Sequence, residues 1–191
     1  MIIGITGGTG CGKTTLLSCI ADKGGLILDC DAIYHQLLET DQELLAAIGS
    51  RFPGVVENGA LQRKKLGNIV FADPSALADL NQITHAAVKA EVQRQLENQP
   101  KLVAIDAIAL FEGGLAELCD HTVAVTAPEE DRVQRLIARD GISEEYARKR
   151  IAAQRSNEDF SALCNFTLEN HGEICAFRAK CLAFLSEFGI M

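Results

Sequence analysis

Apolar positions along this 191-residue chain follow two different rhythms. Short, nearly continuous apolar runs fall at residues 2–6, 26–28, 102–106, 122–125 and 166–168. Runs of this kind predict strands buried on both faces, as in a parallel sheet. Between them the apolar residues spread to the three-and-four spacing of helices. Helices are predicted over 12–21, stopped by Gly24-Gly25, then over 144–155 and 174–188, the last with an apolar face of Ile174, Phe177, Leu182, Leu185 and Phe188. From Ala32 to Asn98 the pattern is helical throughout, with Leu37, Leu38, Leu44, Leu45 and Ile48 in register and no strand predicted. Breaks are expected there near Pro53-Gly54, Asn58-Gly59 and Asp73-Pro74. So much helix exceeds one crossover, and the pattern predicts an α/β sheet domain with an inserted helical lobe.

The first strand runs directly into Gly7-Gly8-Thr9-Gly10-Cys11-Gly12-Lys13-Thr14, which satisfies G-x-x-x-x-G-K-[ST] and opens a helix. This is a phosphate-binding P-loop. Backbone N–H groups can wrap a polyphosphate only where no Cβ obstructs the turn, and Gly7, Gly10 and Gly12 supply that freedom. The helix N-terminus adds attraction for anions. Lys13 is expected to reach the β- and γ-phosphates, and Thr14 to offer its hydroxyl to the Mg²⁺ that accompanies the nucleotide. The nucleotide-binding set is thus Gly8, Gly10, Cys11, Gly12, Lys13, Thr14 and Thr15, joined by Arg139 below.

Two further acids lie at strand ends, the edge where open α/β sheets bind ligands. Asp29-Cys30-Asp31 follows the second strand, and Asp31 is the candidate base for an acceptor hydroxyl, with capping of a helix that begins at Ala32 as its structural alternative. Asp106 closes the third strand in the manner of a Walker B carboxylate and is expected to hold Mg²⁺ directly or through water. Residues 132–155 hold seven of the 18 basic residues, with Arg132, Arg135 and Arg139 on one helical face. An arginine-rich segment of this kind suits a lid over a transferring phosphoryl group, with Arg139 as the expected phosphate contact. In the helical lobe Arg63, Lys64 and Lys65 form one basic cluster, and the candidate acceptor contacts are Asp31, His35, Arg63 and His85.

Composition narrows the class. A 48% hydrophobic chain of this length supports one core. The net charge of −8 argues against a nucleic-acid surface, so the charge that meets phosphate must be local. Seven cysteines without a C-x-x-C pair fit reduced thiols. No apolar run approaches membrane-spanning length and no charged leader precedes the first strand, so a soluble, cytoplasmic protein with no membrane association is expected. No obligate protein partner is evident.

Taken in order, the residues resemble the dephospho-CoA kinase family nearly end to end. The resemblance is carried by Thr6-Gly7-Gly8 through Lys13-Thr14, Asp29-Cys30-Asp31, Gly59 with Leu61, Arg63, Leu66 and Phe71, Leu80-Asn81 with His85, and Asp106 with Leu110-Phe111-Glu112. It continues through Arg135-Leu136, Arg139-Asp140, Arg150-Ile151 with Gln154, and Asn170 with Gly172. It implies a P-loop fold of five parallel strands flanked by helices, a helical CoA-binding lobe at about 32–98 and a lid at about 132–160, around a core of 1–31, 101–127 and 164–191. It also implies transfer of phosphate from ATP to the ribose 3′-hydroxyl of dephospho-CoA, with Asp31 matching the base and Lys13 and Arg139 the donor-phosphate residues. A different small-molecule or nucleoside monophosphate kinase of the same fold would share loop and lid but differ in the lobe, and a nucleotide switch would need no acceptor. The chain departs from the family pattern at Ala86 and Ile108, where proline is usual, at Phe160, where lysine is frequent, and at Asn165, where aspartate is frequent.

Overall fold

The computed structural model describes residues 1–97 and 101–190. Asn98, the expected end of the helical lobe, and Met191, the end of the expected core, lie outside the described residues. In chain order the elements are β1 (Ile2–Thr6), α1 (Lys13–Asp22), β2 (Leu26–Asp29), α2 (Cys30–Thr40), α3 (Gln42–Arg51), β3 (Val56–Glu57), β4 (Ala60–Leu61), α4 (Arg63–Val70) and α5 (Pro74–Leu96). There follow β5 (Val103–Asp106), β6 (His121–Thr126), α6 (Glu129–Asp140), α7 (Glu144–Ala152), α8 (Asn157–Leu163), β7 (Phe166–Glu169) and α9 (Ile174–Glu187). The described residues divide into two units, 1–28 with 101–111 and 115–190, and 29–97 with 112–114.

The first unit carries the predicted five-stranded parallel sheet, ordered β2-β5-β1-β6-β7. β1 sits in the middle, with Ile3 opposite Ala104 on one side and His121 on the other. Helices cover both faces of such a sheet, so Ile3 and Ile5, on one face, and Gly4 and Thr6, on the other, are all buried. This is why the central strand shows an apolar run, whereas the edge strand β7 alternates between half-buried and exposed. One face is sealed by α1 and α9, which place Leu16, Cys19 and Ile20 with Phe177, Cys181, Phe184 and Leu185 around Ile3, Ile5, Val123 and Val125. The buried stripe of α9 therefore differs from the predicted one. Ile174 is 72% exposed and Leu182 is also exposed, because the helix is rotated so that Cys181 and Phe184 face the sheet.

The second unit packs Leu38, Leu44, Ile48, Phe52, Val55, Leu66, Val70 and Leu80 into its own core. It also holds a strand pair that the helical reading missed: β3 and β4 pair antiparallel, with Val56 opposite Leu61. Two residues per strand are too few for a period to show. The turn between them was legible, since Asn58 and Gly59 both take positive φ (52° and 75°), as the tightest hairpin turns require. The helix expected to begin at Ala32 begins at Cys30, and Asp29 caps it by accepting hydrogen bonds from the N–H groups of Asp31 and Ala32 at 3.0 Å each. The capping alternative for Asp31 is thereby removed. The predicted break at Asp73-Pro74 is the start of α5, capped by the Asp73 carboxylate with proline in the first turn. α5 then runs unbroken through Ala86, which supplies the backbone N–H that proline would lack.

Candidate functional site

The P-loop joins β1 to α1, and Gly12, at φ 98°, is the N-cap residue that turns loop into helix. A side chain at Gly12 would collide with the amide of Asn170 and one at Gly8 with the guanidinium of Arg132, so two of the glycines admit neighbours as well as backbone freedom. Those neighbours hold the loop by its carbonyl groups. Arg132 is buried and donates from Nε to the Thr9 carbonyl at 2.9 Å. Arg135 donates to the carbonyls of Gly10 at 3.2 Å and Cys11 at 3.4 Å, and Asn170 Nδ2 donates to the Cys11 carbonyl at 2.8 Å. A peptide's C=O and the next N–H point in opposite directions. Drawing the carbonyls of Thr9 and Cys11 toward this cationic side therefore turns the N–H groups of Gly10 and Gly12 the other way, where a phosphate can accept from them.

On the loop's own side, Lys13 folds over so that Nζ donates to the Gly7 carbonyl at 3.1 Å. Thr14 is exposed and Thr15 half-buried, with the Thr15 N–H bound to the Gly12 carbonyl at 3.0 Å. Asp106 ends β5 half-buried, and its register partner is Ile5 just before the loop. Burial pushes the Cys11 thiol above its ordinary value despite the opposing pull of Lys13, and Asp106 is near enough to add to the rise. Cys11 is therefore a protonated packing residue at neutral pH, not a reactive thiolate. Among the described residues no three His, Cys, Asp or Glu side chains gather to hold a metal.

The arginine-rich face divides in two. Arg132 and Arg135, expected over the transferring group, brace the loop from behind. Arg139 instead engages the carboxylate of Asp140 through two hydrogen bonds of 2.6 and 3.0 Å. Arg150 adds a third to Asp140 at 2.8 Å, and the hydrogen bond from Arg139, followed by that from Arg150, holds the Asp140 carboxyl down at about 2. Arg148 is shared among Glu129, Glu130 and Glu144. The segment's positive charge is thus largely neutralised within the α6–α7 hairpin. Two residues outside any periodic pattern complete the loop's surroundings: Gln154, whose Oε1 accepts from the Thr9 N–H at 2.7 Å, and Asn170. The only sequence signal for them was their place in the family resemblance, because the contacts span 145 and 159 positions.

The remaining candidates lie in the second unit. Asp31 is exposed in the first turn of α2. His35 and Arg63 line an apolar cavity of about 200 Å³ with Tyr34, Leu38, Leu61 and Phe71. Phe71 is 84% exposed, unusual for so large an apolar ring. His85 is half-buried on α5 and does not line that cavity. Two family departures also find their places. Phe160 is buried on α8. The Asn165 side-chain oxygen accepts from the Thr122 N–H and hydroxyl at 2.9 and 3.0 Å, as an aspartate would, and its backbone N–H donates to the same hydroxyl at 3.0 Å. It precedes β7, at the end of the sheet opposite the P-loop.

Comparison with known proteins agrees with this geometry. The sequence profile of the dephospho-CoA kinase family matches residues 1–176. The chain is 35% identical over 177 residues to a dephospho-CoA kinase of Corynebacterium jeikeium, covering 90% of this chain and 91% of that one. It is also 35% identical to one of Deinococcus radiodurans, covering 98% and 92%. Among solved structures, a Thermus thermophilus protein superposes with a TM-score of 0.80 at 34% identity over 98% of this chain and 97% of that one. A dephospho-CoA kinase of Campylobacter jejuni gives 0.71 at 25% identity over 100% and 98%. A shikimate kinase of Bacteroides thetaiotaomicron, at 14% identity and a TM-score of 0.59 over 97% and 98% of the two chains, shares the fold alone. A P-loop braced by arginines on a five-stranded parallel sheet, in a chain matched over nearly its whole length, places this protein in the dephospho-CoA kinase family.

Proposed function

We propose that this kinase transfers the γ-phosphoryl group of ATP to the ribose 3′-hydroxyl of dephospho-CoA, giving coenzyme A and ADP in the last step of coenzyme A synthesis. The observation that carries the reading is the P-loop, with its carbonyls drawn to Arg132, Arg135 and Asn170, in a chain of this family. Catalysis of such a transfer is mostly positioning and electrostatic stabilisation. The N–H groups of Gly10 and Gly12 and the Lys13 ammonium take the β- and γ-phosphates, with Gly8, Cys11 and Thr15 shaping the cradle. Lys13 then exchanges its bond to the Gly7 carbonyl for the phosphate oxygens. Asp31, exposed and relieved of capping by Asp29, accepts the proton of the acceptor hydroxyl. Arg139 neutralises charge on the transferring group once it leaves Asp140.

Mg²⁺ fits this donor set. It is usually held by one or two protein oxygens together with substrate phosphates and water, so the lack of a three-ligand cluster among the described residues is compatible with it. Thr14 and Asp106 are the residues that would hold it, and it would supply positive charge against the negative charge of the phosphates. In the helical lobe at about 32–98, His35 and Arg63 sit on the cavity that Tyr34 and Phe71 line, a surface suited to the long, partly apolar acceptor, and His85 lies on α5 as a further acceptor contact. The segment at about 132–160 acts as the lid. The enzyme works on small molecules in the cytoplasm, without nucleic acid, membrane or obligate protein partner. No described helix is long and apolar enough to cross a membrane.

A coupled ADP-release assay tests the whole reading with ATP and Mg²⁺, comparing dephospho-CoA, AMP, CMP, shikimate and no acceptor. Turnover with dephospho-CoA alone is expected. Turnover with another acceptor, or turnover indifferent to any acceptor, overturns it.

A further inference from the structure

The two peptide groups that flank the Thr9 α-carbon are each held by a residue more than 120 positions away. Arg132 Nε donates to the Thr9 carbonyl at 2.9 Å, and Gln154 Oε1 accepts from the Thr9 N–H at 2.7 Å. The same Gln154 oxygen lies 3.4 Å from Arg132 Nη2, which closes a ring of three residues. Both neighbours of that oxygen are donors, so only the carbonyl end of the amide, and not its NH₂ end, fits there. Gln154 is also fixed to the helix that precedes it, since its own N–H bonds the Ile151 carbonyl at 3.1 Å, one turn back at the end of α7. α7 in turn packs on α6 through Val133, Leu136, Ala147 and Ile151. Arg132 thus reports the position of α6 to the loop, and Gln154 reports the position of α7.

We infer that Gln154 is a positioning residue for phosphoryl transfer: from the end of α7 it sets the Gly8–Thr9 peptide plane, next to the Thr9–Gly10 plane that Arg132 holds, and with it the path of the loop whose N–H groups take the donor phosphates. The inference rests on the reading of this loop as the donor site. Without the Gln154 oxygen the Thr9 N–H and the buried Arg132 guanidinium both lose an acceptor, and the loop is free to rotate toward one. Misplacement of reacting groups by about 1 Å costs on the order of 10²-fold in rate. A displacement of α7 would act in the same way, so the phosphate cradle is at its best only while the hairpin is seated.

Two substitutions separate this from a merely structural role. Gln154→Met keeps the side-chain length and removes the acceptor, whereas Gln154→Glu keeps an acceptor oxygen and pairs it with Arg132. The measurements are kcat, the KM of ATP and of dephospho-CoA, the Kd of ADP without acceptor, and Tm. Gln154→Met is expected to lower kcat about 10- to 100-fold and to weaken ADP binding, while the KM of dephospho-CoA stays within about twofold; Gln154→Glu is expected to recover most of kcat. Unchanged kcat and ADP affinity in Gln154→Met overturn the inference, whether or not Tm falls. Equal loss in both variants overturns it as well, because the acceptor atom would then not matter. If Gln154→Met does not fold, Gln154→Glu decides, and less than half of wild-type kcat there overturns it. The ADP titration needs no acceptor substrate, so it tests Gln154 even if the wild-type enzyme proves to phosphorylate something other than dephospho-CoA.

Discussion

The P-loop and the second unit's candidate residues are built in contrasting ways. The loop is held at successive peptide groups by Arg132, Arg135, Gln154 and Asn170, with the Cys11 thiol buried beneath it. Asp31, His35 and Arg63 are exposed side chains on helices, and Arg63 makes a loose 3.8 Å pair with Glu39. The loop needs rigidity, because its ligands are backbone N–H groups whose direction cannot be corrected by turning a side chain. On the proposed reading, the lobe can leave its polar groups in water until a substrate brings partners. Loop substitutions should therefore disturb geometry and chemistry together, and lobe substitutions chemistry alone.

The largest break in this contrast comes from Lys13→Ala, which removes the one charged side chain among residues 7–14. It is expected to lower kcat by about 10³-fold or more, read in a steady-state ADP-release assay, and an unchanged kcat would contradict the P-loop assignment. Next is Asp31→Asn in the second unit. Here kcat is expected to fall about 10²-fold while ADP affinity, measured by calorimetry, and Tm both remain at wild-type values. A drop in Tm would mean that Asp31 carries structure after all. Its neighbour sharpens the test: Asp29→Ala removes a helix cap and is expected to cost about 1 kcal/mol of stability, read by urea unfolding.

The smallest effect concerns the hairpin. The Asp140 carboxyl, held at about 2 by Arg139 first and Arg150 second, has a depressed folded-state pKa. Such a group adds stability above the ordinary carboxylate pKa of 3.8 and loses it as pH falls from there toward about 2. Wild type is thus expected to be more stable than Asp140→Asn at pH 6, with the gap closing between about pH 4 and pH 2. Thermal melts across that range read the effect, and a gap independent of pH would remove the ion pair as its source. If Arg139 must leave Asp140 to meet phosphate, Asp140→Asn should also tighten ADP binding by a small factor.

Much of the fold is legible in the sequence, because short apolar runs bounded by turn residues read as strands of a parallel sheet, and G-x-x-x-x-G-K-T places its own loop between strand and helix. Asp106 was legible for the same reason, as an acid at the end of such a run. The β3–β4 hairpin escaped because two-residue strands carry no period. The true buried stripe of α9 escaped because Ile174 is as apolar as Phe177, and only the sheet decides which one it covers.

The sequence by itself determined the phosphate loop, the alternation of strand and helix and the family, since each is written in contiguous residues whose backbone geometry or spacing is fixed locally. Tertiary structure alone decided what the arginines do. Arg132, Arg135 and Arg139 occupy one helical face at regular spacing, yet one is buried against the Thr9 carbonyl, one lies across the carbonyls of Gly10 and Cys11, and one pairs with the adjacent Asp140. A guanidinium goes to whichever acceptors the fold brings within reach, and carbonyls more than 120 positions away in the chain leave no mark on the local pattern. The same holds for Asp29 and Asp31: two identical residues separated by one position became a helix cap and an exposed acid, because the first N–H groups of α2 point at only one of them.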